Sequence, residues 1–191
     1  MTAAAISQLI RKRRSIFPKM YIDKPIPKEI IEEVLENANW APTHKLTEPW
    51  RFKVLQGGAL ERLRDWQLNW YLTNVPKEKQ TEKKLKKLRN NPLKAGAIIA
   101  IIMQRDPKES LPEWEEVAAV ACAVQNMWLT TTAYAIGAYW SSPGFIKDIG
   151  PFLGLKESEK CLGYFYMGYH EMPEISGKRE PITDKVEWLD S

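Results

Sequence analysis

The sequence is poor in the residues from which most side-chain catalysis is built. Only two histidines, His44 and His170, occur in 191 residues. No Gly-x-Ser-x-Gly motif supplies an activated serine. Neither cysteine, Cys122 or Cys161, has a histidine nearby in sequence. The sequence therefore gives little support to an enzyme that hydrolyses its substrate with its own side chains. We expect instead a bound cofactor that carries out the chemistry.

The low cysteine content also excludes several structural roles. Cys122 and Cys161 lie far apart in apolar segments, without a Cys-x-x-Cys pair or the spacing of zinc ligands. We therefore predict no metal site, and we expect both cysteines to be reduced core residues of an intracellular protein. A cytoplasmic location follows from this expectation.

Three further absences narrow the class of protein. The N-terminus has no long apolar segment after a charged start, so no signal peptide is predicted. No uninterrupted apolar run is long enough to span a membrane. No Gly-x-Gly-x-x-Gly follows the first predicted strand, which argues against a Rossmann dinucleotide fold. Any nicotinamide cofactor is therefore expected to bind transiently.

The chain does contain enough apolar and aromatic residues for a sizeable core. Hydrophobic residues make up 44% and charged residues 27%, and eight tryptophans are present. This balance and length predict one domain over residues 1–191. So many tryptophans favour broad aromatic surfaces, at a core, an interface or a flat cofactor.

The positive charge is concentrated in two segments. The formal net charge is +4, and much of the excess lies in Arg11–Arg14 and in Lys77–Arg89. The second segment could bind an anionic dinucleotide or a nucleic acid. More often such a segment is a solvated helix face, the usual place for lysine.

Hydrophobic periodicity predicts an α+β fold with a mixed sheet of four or five strands flanked by helices. The apolar residues of the helix at 114–136 lie on nearly every face, which favours a subunit interface. Asn90-Asn91-Pro92 is predicted to break the helical region before it, and Gly137 to stop the long helix. The predicted helices cover 2–14, 27–38, 59–89 and 114–136, and the predicted strands cover 50–54, 97–103, 138–140 and 161–169.

Two segments are candidates for ligand binding. In the loop at 41–52, Pro42 and Pro49 stiffen the chain around a polar tip at residues 43–45. At the end of the first helix, Arg13, Arg14 and Ser15 suit a phosphate, because guanidinium binds phosphate oxygens bidentately. Each segment also has an ordinary explanation, as a proline-rich connection and as a solvated basic helix end.

Together these segments resemble the FMN-dependent nitroreductase family, in particular its small branch with an Ala-Pro-x-His-Lys loop. The resemblance runs nearly from end to end. It is carried by the segments Arg13-Arg14-Ser15, Ala41-Pro42-Thr43-His44-Lys45, Pro49-Trp50-Arg51-Phe52, Gly137–Pro143, Leu162–Tyr169 and Gly177–Pro181 with Val186–Trp188.

The resemblance implies a flavin site and a role for each part of it. Arg13, Arg14 and Ser15 would hold the FMN phosphate and ribityl chain, with Arg179 adding charge from the tail. The loop residues would lie along the isoalloxazine of a flavin that is shared between subunits, with Lys45 near N1 and O2 of the flavin. Residues of a β-strand would line the ring from the other side. The loop residues are Trp40, Thr43, His44 and Lys45, and the strand residues are Tyr139, Trp140 and Ser141.

The sequence departs from the family pattern in the same segments. Relatives commonly carry Asn at the position of Leu46, Gln at that of Glu48, and Arg at those of Trp40 and Ser141. Polar contacts from Leu46 and Trp40 are therefore not expected, and Arg179 is a candidate to replace the arginine that is missing at Ser141.

The resemblance implies an intertwined homodimer that works as an FMN-dependent oxidoreductase. NAD(P)H would reduce bound FMN, which would then reduce a nitroaromatic, a quinone or a similar small acceptor by a ping-pong mechanism. Residues 171–191 would form an extended tail that crosses to the partner. The alternatives are a basic nucleic-acid-binding module without flavin, a structural dimer without flavin, and a flavin protein with non-nitroreductase chemistry.

Overall fold

The computed structural model describes residues 2–189, which form six helices and four strands. The helices are α1 (Ala3–Lys12), α2 (Lys28–Asn39), α3 (Gly58–Asn74), α4 (Glu82–Lys94), α5 (Glu113–Ala133) and α6 (Gly150–Leu153). The strands are β1 (Trp50–Leu55), β2 (Ala97–Gln104), β3 (Ile136–Ser141) and β4 (Glu159–Tyr169).

The strands form one sheet in the order β1-β2-β4-β3. Every neighbouring pair is antiparallel, so the expectation of a mixed sheet is wrong for the four strands. Among the described residues, the parallel pairing is confined to an isolated bridge between Ser15 and Ala138. This bridge joins the segment after α1 to the edge of the sheet.

Strand β2 shows why the sheet lies at the centre of the molecule. Its residues from Ala97 to Met103 are all fully buried, as the continuous apolar run predicts. Alternate residues belong to two different clusters. Ala97, Ile99, Ile101 and Met103 pack with α2 and α5, whereas Ile98, Ala100 and Ile102 pack with α3, α4 and the region around α6. The fold therefore has helices on both faces of the sheet.

Several element boundaries differ from the sequence-based prediction. Helix α4 continues through Pro92, which lies in its last turn, so Asn90-Asn91-Pro92 does not break it. Gly137 lies inside β3, and α5 instead ends at a turn in which Ala135 has a φ of 53°. In β1, Val54 is exposed although alternation predicts burial, because β1 is an edge strand with few neighbours.

The chain leaves a large amount of apolar surface uncovered. No residue of α1 is buried, and Ile6 and Ile10 are about half exposed at 45% and 50%. Helix α5 buries one face, but Trp114 is 69% exposed at its start. Cys122 on α5 is exposed too, so its predicted place in the core is wrong for the single chain.

The segment after β4 has no core of its own. Residues 173–189 are exposed, including Ile182 and Trp188. The last two residues of the predicted tail lie outside the described part of the chain. Among the described residues, no helix is both long and apolar enough to cross a membrane.

Candidate cofactor site

The end of α1 is held against α5 by an aromatic side chain. The guanidinium of Arg13 lies 4.5 Å from the centre of the Trp128 ring. The Trp128 indole N–H donates to the carbonyl of Arg14 at 3.2 Å. A cation over the face of an indole is an attractive arrangement that also restricts the arginine. Trp128 therefore fixes the position of the basic helix end.

Three guanidiniums converge at this point. Burial lowers the pKa of Arg13, and the positive charges of Arg179 and Arg14 lower it further. Among residues 2–189, none of the three forms an ion pair with a carboxylate. Such a cluster is electrostatically unfavourable alone and becomes favourable when an anion binds. The structure thus brings Arg13, Arg14 and Arg179 within electrostatic range of one another, and their binding of a phosphate stays a prediction.

Arg14 has a second role that the sequence does not indicate. Its Nε donates to the carbonyl of Ile175 at 3.0 Å, and its Nη1 donates to the carbonyls of Arg11 and Arg13. Gly177 packs so closely on this guanidinium that a Cβ there would collide with it. Arg14 therefore ties the tail to the end of α1, which leaves it fewer donors for a phosphate than Arg13.

Ser15 leads directly from the basic cluster to β3. It pairs with Ala138, and the amide of Ile16 donates to the Ala138 carbonyl at 3.0 Å. The predicted strand residues, which begin at Tyr139, follow this bridge immediately. The phosphate-binding candidates and the strand candidates are thus neighbours in a single chain.

The three strand residues are held in different ways. Tyr139 stacks on Tyr166 with ring centres 5.1 Å apart, and Ser141 lines the same cavity as Tyr139. The Trp140 indole N–H donates to the Leu162 carbonyl at 3.1 Å, and its ring is part of the core on the α5 side of the sheet. Tyr139 and Ser141 therefore face the other side of the sheet from Trp140.

The loop after α2, which its prolines are expected to stiffen, is also strained. Lys45, Leu46 and Glu48 have φ values of 51°, 55° and 42°, in the left-handed region that non-glycine residues seldom adopt. The Thr43 hydroxyl accepts from the Glu48 amide at 3.1 Å and lies 3.2 Å from the Thr47 hydroxyl. Strain of this kind concentrates at functional sites.

The tip of this loop docks on the beginning of α5. His44 Nδ1 lies 2.7 Å from a carboxylate oxygen of Glu115, and Lys45 donates to the Ser110 carbonyl at 3.0 Å. Trp40 is 79% exposed and donates from its indole to Glu36 at 3.0 Å. The loop residues therefore form a second group, apart from the basic cluster.

The two groups lie at opposite ends of α5. Glu115, which contacts His44, precedes Trp128, which contacts Arg13, by 13 positions in the helix. At the rise of an α-helix this spacing corresponds to about 20 Å. The residues that the sequence assigns to one site are therefore not brought together within one chain.

Sequence reasoning missed the side chains that position these groups. Trp128 is indistinguishable in sequence from the other apolar residues of α5, and nothing links it to Arg13. Glu115 and Ser110 precede or open a helix, where acidic and small polar residues are common. Only the fold reveals their contacts with the loop.

A cleft of about 770 Å³ opens on the side of β3 that Tyr139 and Ser141 face. Lysines of α4 form one of its walls. The segment Lys77–Arg89, whose role the sequence leaves open, thus contributes to a cavity beside the candidate site.

Comparison with known proteins finds a family match over most of the chain. Residues 10–169 match the model of the nitroreductase family. The chain is 30% identical over 187 residues to a protein of Bacillus subtilis (strain 168) provisionally named NAD(P)H nitroreductase YfhC, covering 95% of this chain and 93% of that protein.

Two solved structures share the fold. A nitroreductase-like protein from Bacillus cereus superposes with a TM-score of 0.84 at 29% identity, covering 100% of this chain and 99% of that one. A protein of Desulfovibrio desulfuricans, provisionally named a nitroreductase and solved in complex with FMN, gives a TM-score of 0.73 at 25% identity, covering 100% and 98%. With a family match over most of its length and a relative matched almost end to end, this chain belongs to the nitroreductase family.

Proposed function

We propose that this protein is an FMN-dependent oxidoreductase that uses NAD(P)H as its electron donor. The observation that carries the proposal is the cluster of Arg13, Arg14 and Arg179, which lacks a carboxylate partner among residues 2–189 and adjoins β3. Family membership and a relative solved with FMN support it.

The residues present suit FMN better than FAD. The cluster offers one concentrated anion site, and the sequence has no glycine-rich loop for a pyrophosphate. In the proposed site Arg13 and Arg179 bind the phosphate, Ser15 donates from its hydroxyl, and Arg14 holds the tail that carries Arg179. FMN, when bound, supplies the capacity to accept a hydride from a nicotinamide and to return electrons to a second substrate.

We infer that a complete site needs two copies of the chain. The loop with Thr43, His44 and Lys45 lies at the far end of α5 from Arg13, so the loop that reaches a given flavin is that of the partner. There Lys45 would place a positive charge near the part of the ring that gains electron density on reduction. The uncovered surfaces of α1, α5 and the tail supply the contacts for a homodimer.

The second substrate is proposed to be a nitroaromatic, a quinone or a similar small acceptor. Because donor and acceptor would use the same position beside the flavin in turn, we expect ping-pong kinetics. We also propose that the protein works in the cytoplasm, where NAD(P)H is available.

The proposal is tested by loading the purified protein with excess FMN and identifying the ligand that is released on denaturation. We expect FMN by mass spectrometry, bleaching of flavin absorbance by NADH or NADPH without oxygen, and recovery of colour when a nitroaromatic or quinone is added. Initial rates at varied donor and acceptor should give parallel double-reciprocal lines. A protein that retains no flavin, or only FAD, would contradict the proposal.

A further inference from the structure

Glu116 is a buried carboxylate that the proposed flavin site does not use. It lies in the first turn of α5, and only 1% of it is exposed. Burying a carboxylate is costly unless it is paired and hydrogen-bonded. Glu116 meets both needs, because Arg105 pairs with one of its oxygens and the Asp106 amide donates to the other at 2.8 Å. Glu116 therefore joins α5 to the β2–α5 loop, residues 105–112.

The same arginine holds both ends of the β2–α5 loop. A second nitrogen of Arg105 donates to the Leu111 carbonyl at 2.6 Å, close to the end of the loop. Inside the loop, the Asp106 carboxylate accepts from the Ser110 amide at 3.1 Å and from the Ser110 hydroxyl. These contacts restrict the backbone of the loop, and with it the carbonyl of Ser110.

The choice of arginine fits a role in fixing this loop. Buried ion pairs often add little net stability, because removing two charges from water costs about as much as their attraction returns. Arg105 does more than neutralise Glu116, because its planar fork reaches the Leu111 carbonyl as well. A lysine, with a single compact ammonium group, would not reproduce this pair of contacts.

The Ser110 carbonyl is the partner of Lys45, the loop residue that we propose lies near the flavin. Lys45 Nζ donates to this carbonyl at 3.0 Å. A neutral carbonyl holds the ammonium group without cancelling its charge. The neighbouring His44 differs, because it meets the carboxylate of Glu115. Contact with Ser110 therefore restricts Lys45, whose own φ of 51° is unfavourable, and leaves its charge available.

We propose that Arg105 and Glu116 are positioning residues for Lys45, and that they thereby set the redox potential of the bound flavin. Neither side chain needs to touch the flavin, because both act through the β2–α5 loop and its Ser110 carbonyl. This inference rests on the proposed function, in which Lys45 of one chain lies beside the flavin that the arginines of the other chain hold. A positive charge there favours the reduced ring, which gains electron density.

The first test compares the midpoint potential of bound FMN in variants of the FMN-loaded protein. Glu116→Gln keeps the size of the side chain but weakens its pairing with Arg105. If Glu116 acted only through its negative charge, losing that charge would raise the potential. Displacement of the Lys45 ammonium group has the opposite sign. We therefore expect Glu116→Gln to lower the potential, as Lys45→Gln does to a larger extent.

Glu113→Gln is the matched control. Glu113 lies in the same first turn of α5, but its carboxylate accepts from Lys160 rather than from the β2–α5 loop. Removing it takes one negative charge from the same turn, so the potential should stay unchanged or rise slightly. In a chain that already carries Lys45→Gln, Glu116→Gln should cause no further fall, since both changes act through one ammonium group.

A second variant separates position from charge. Arg105→Lys leaves the net charge of the protein unchanged but removes the fork that joins Glu116 to the Leu111 carbonyl. It should also lower the potential of bound FMN. If Glu116→Gln does not fold, Arg105→Lys carries the test with the same measurements.

A further measurement needs no flavin. Flavin-free protein is treated with a trace of acetic anhydride, and the acetylation of each lysine is followed by mass spectrometry. Lys45 should react about fivefold faster in Glu116→Gln and Arg105→Lys than in the wild-type protein, the population change that the loss of one net hydrogen bond produces. Its rate should be unchanged in Glu113→Gln. Equal rates at the exposed Lys28 and Lys156 show that the fold is intact.

Each outcome has a distinct meaning. An unchanged or raised potential in both Glu116→Gln and Arg105→Lys would overturn the proposal, and so would an unchanged rate of acetylation at Lys45. If Lys45 reacts faster but the potential does not move, FMN binding stands and Lys45 does not act on the flavin. If the protein binds no FMN while Lys45 reacts faster, the proposed function fails but the positioning of Lys45 by Arg105 and Glu116 stands.

Discussion

Arg13 is the residue at which burial and charge conflict most clearly. The Trp128 ring attracts its guanidinium, but burial and the positive charges of Arg179 and Arg14 all lower the pKa of Arg13 and so act against its charged form. A bound dianion would reverse the balance, because each guanidinium would then gain a partner. We therefore assign Arg13 the largest single contribution to phosphate binding.

Replacing this side chain tests the assignment. Arg13→Ala should weaken FMN binding by about 2 kcal/mol, the scale of a lost hydrogen bond to a charged group. Fluorescence titration of the flavin-free protein with FMN measures this change. Arg11→Ala is the control, since Arg11 is exposed on the same helix and only its carbonyl meets Arg14. If the two variants bind FMN with equal affinity, the cluster is an ordinary basic helix end with no role in FMN binding.

His170 gives a prediction about pH. Burial lowers the pKa of His170 below its usual value of 6.5, and its Nδ1 accepts from the Met172 amide at 3.2 Å. In the unfolded chain the imidazole binds a proton more readily than in the fold. Its neutral form therefore contributes stability that is fully present above the ordinary pKa and is lost as the pH falls below it.

The comparison is between the wild-type protein and His170→Asn, whose side-chain oxygen can accept a hydrogen bond but does not titrate. From neutral pH to below 6.5, the free energy of unfolding of the wild-type protein should fall more steeply than that of the variant. Urea unfolding at several pH values measures both. Parallel pH dependences would show that His170 is not held in its neutral form by the fold.

At the scale of elements, the loop after α2 combines rigidity with strain. Three non-glycine residues with left-handed φ values lie within four positions. Leu46 is one of them, and its side chain is 81% exposed, so no packing in the single chain offsets its strain. The loop therefore holds a conformation that its own sequence does not favour.

Leu46→Asn should relieve part of this strain, because asparagine adopts the left-handed region more readily than leucine does. Relative to Leu46→Ala, which removes the same side chain but keeps the strain, we expect a gain of about 0.5 to 1 kcal/mol in unfolding free energy. Chemical denaturation of the flavin-free protein gives the values. Equal stability of the two variants would mean that the loop is not strained in solution.

The core elements could be predicted from sequence because their signals are local. The unbroken apolar run of β2 allows only a strand that is buried on both faces, and the fold confirms it. Pro92 misled the prediction because the Leu88 carbonyl, to which Pro92 has no N–H to donate, accepts from the Gln67 side chain instead, and Pro92 is buried in the last turn of α4. The antiparallel sheet depends on long-range pairing, on which local periodicity gives no information.

The candidate site could be predicted in its parts and not in its arrangement. Arg13 and His44 stand out in sequence because a basic helix end and a proline-bracketed loop are local features. Their separation along α5 depends on contacts with Trp128 and Glu115, which are distant in the chain. The lysines of α4 gave no decisive signal, because a solvated helix and the wall of a cleft have the same composition.

At the scale of the whole molecule, the uncovered surfaces and the divided site have a common explanation. Helix α1 buries none of its residues, and the tail from residue 173 is exposed along its length. A second copy that covers these segments would also bring its loop to the basic cluster. The homodimer is therefore proposed as the unit that binds flavin.

This account is tested most directly by combining two defective chains. One carries Arg13→Ala in the basic cluster, and the other carries His44→Ala/Lys45→Ala in the loop. Each variant alone should bind FMN weakly. Mixed dimers are isolated with a different affinity tag on each chain, and their FMN stoichiometry and affinity are measured by titration.

If the site is shared, the mixed dimer contains one site with both defects and one site with neither. We predict that it binds one FMN per dimer with the affinity of the wild-type protein. If each site were built from a single chain, both sites of the mixed dimer would carry one defect. Weak binding at both sites, with no site of wild-type affinity, would contradict the account.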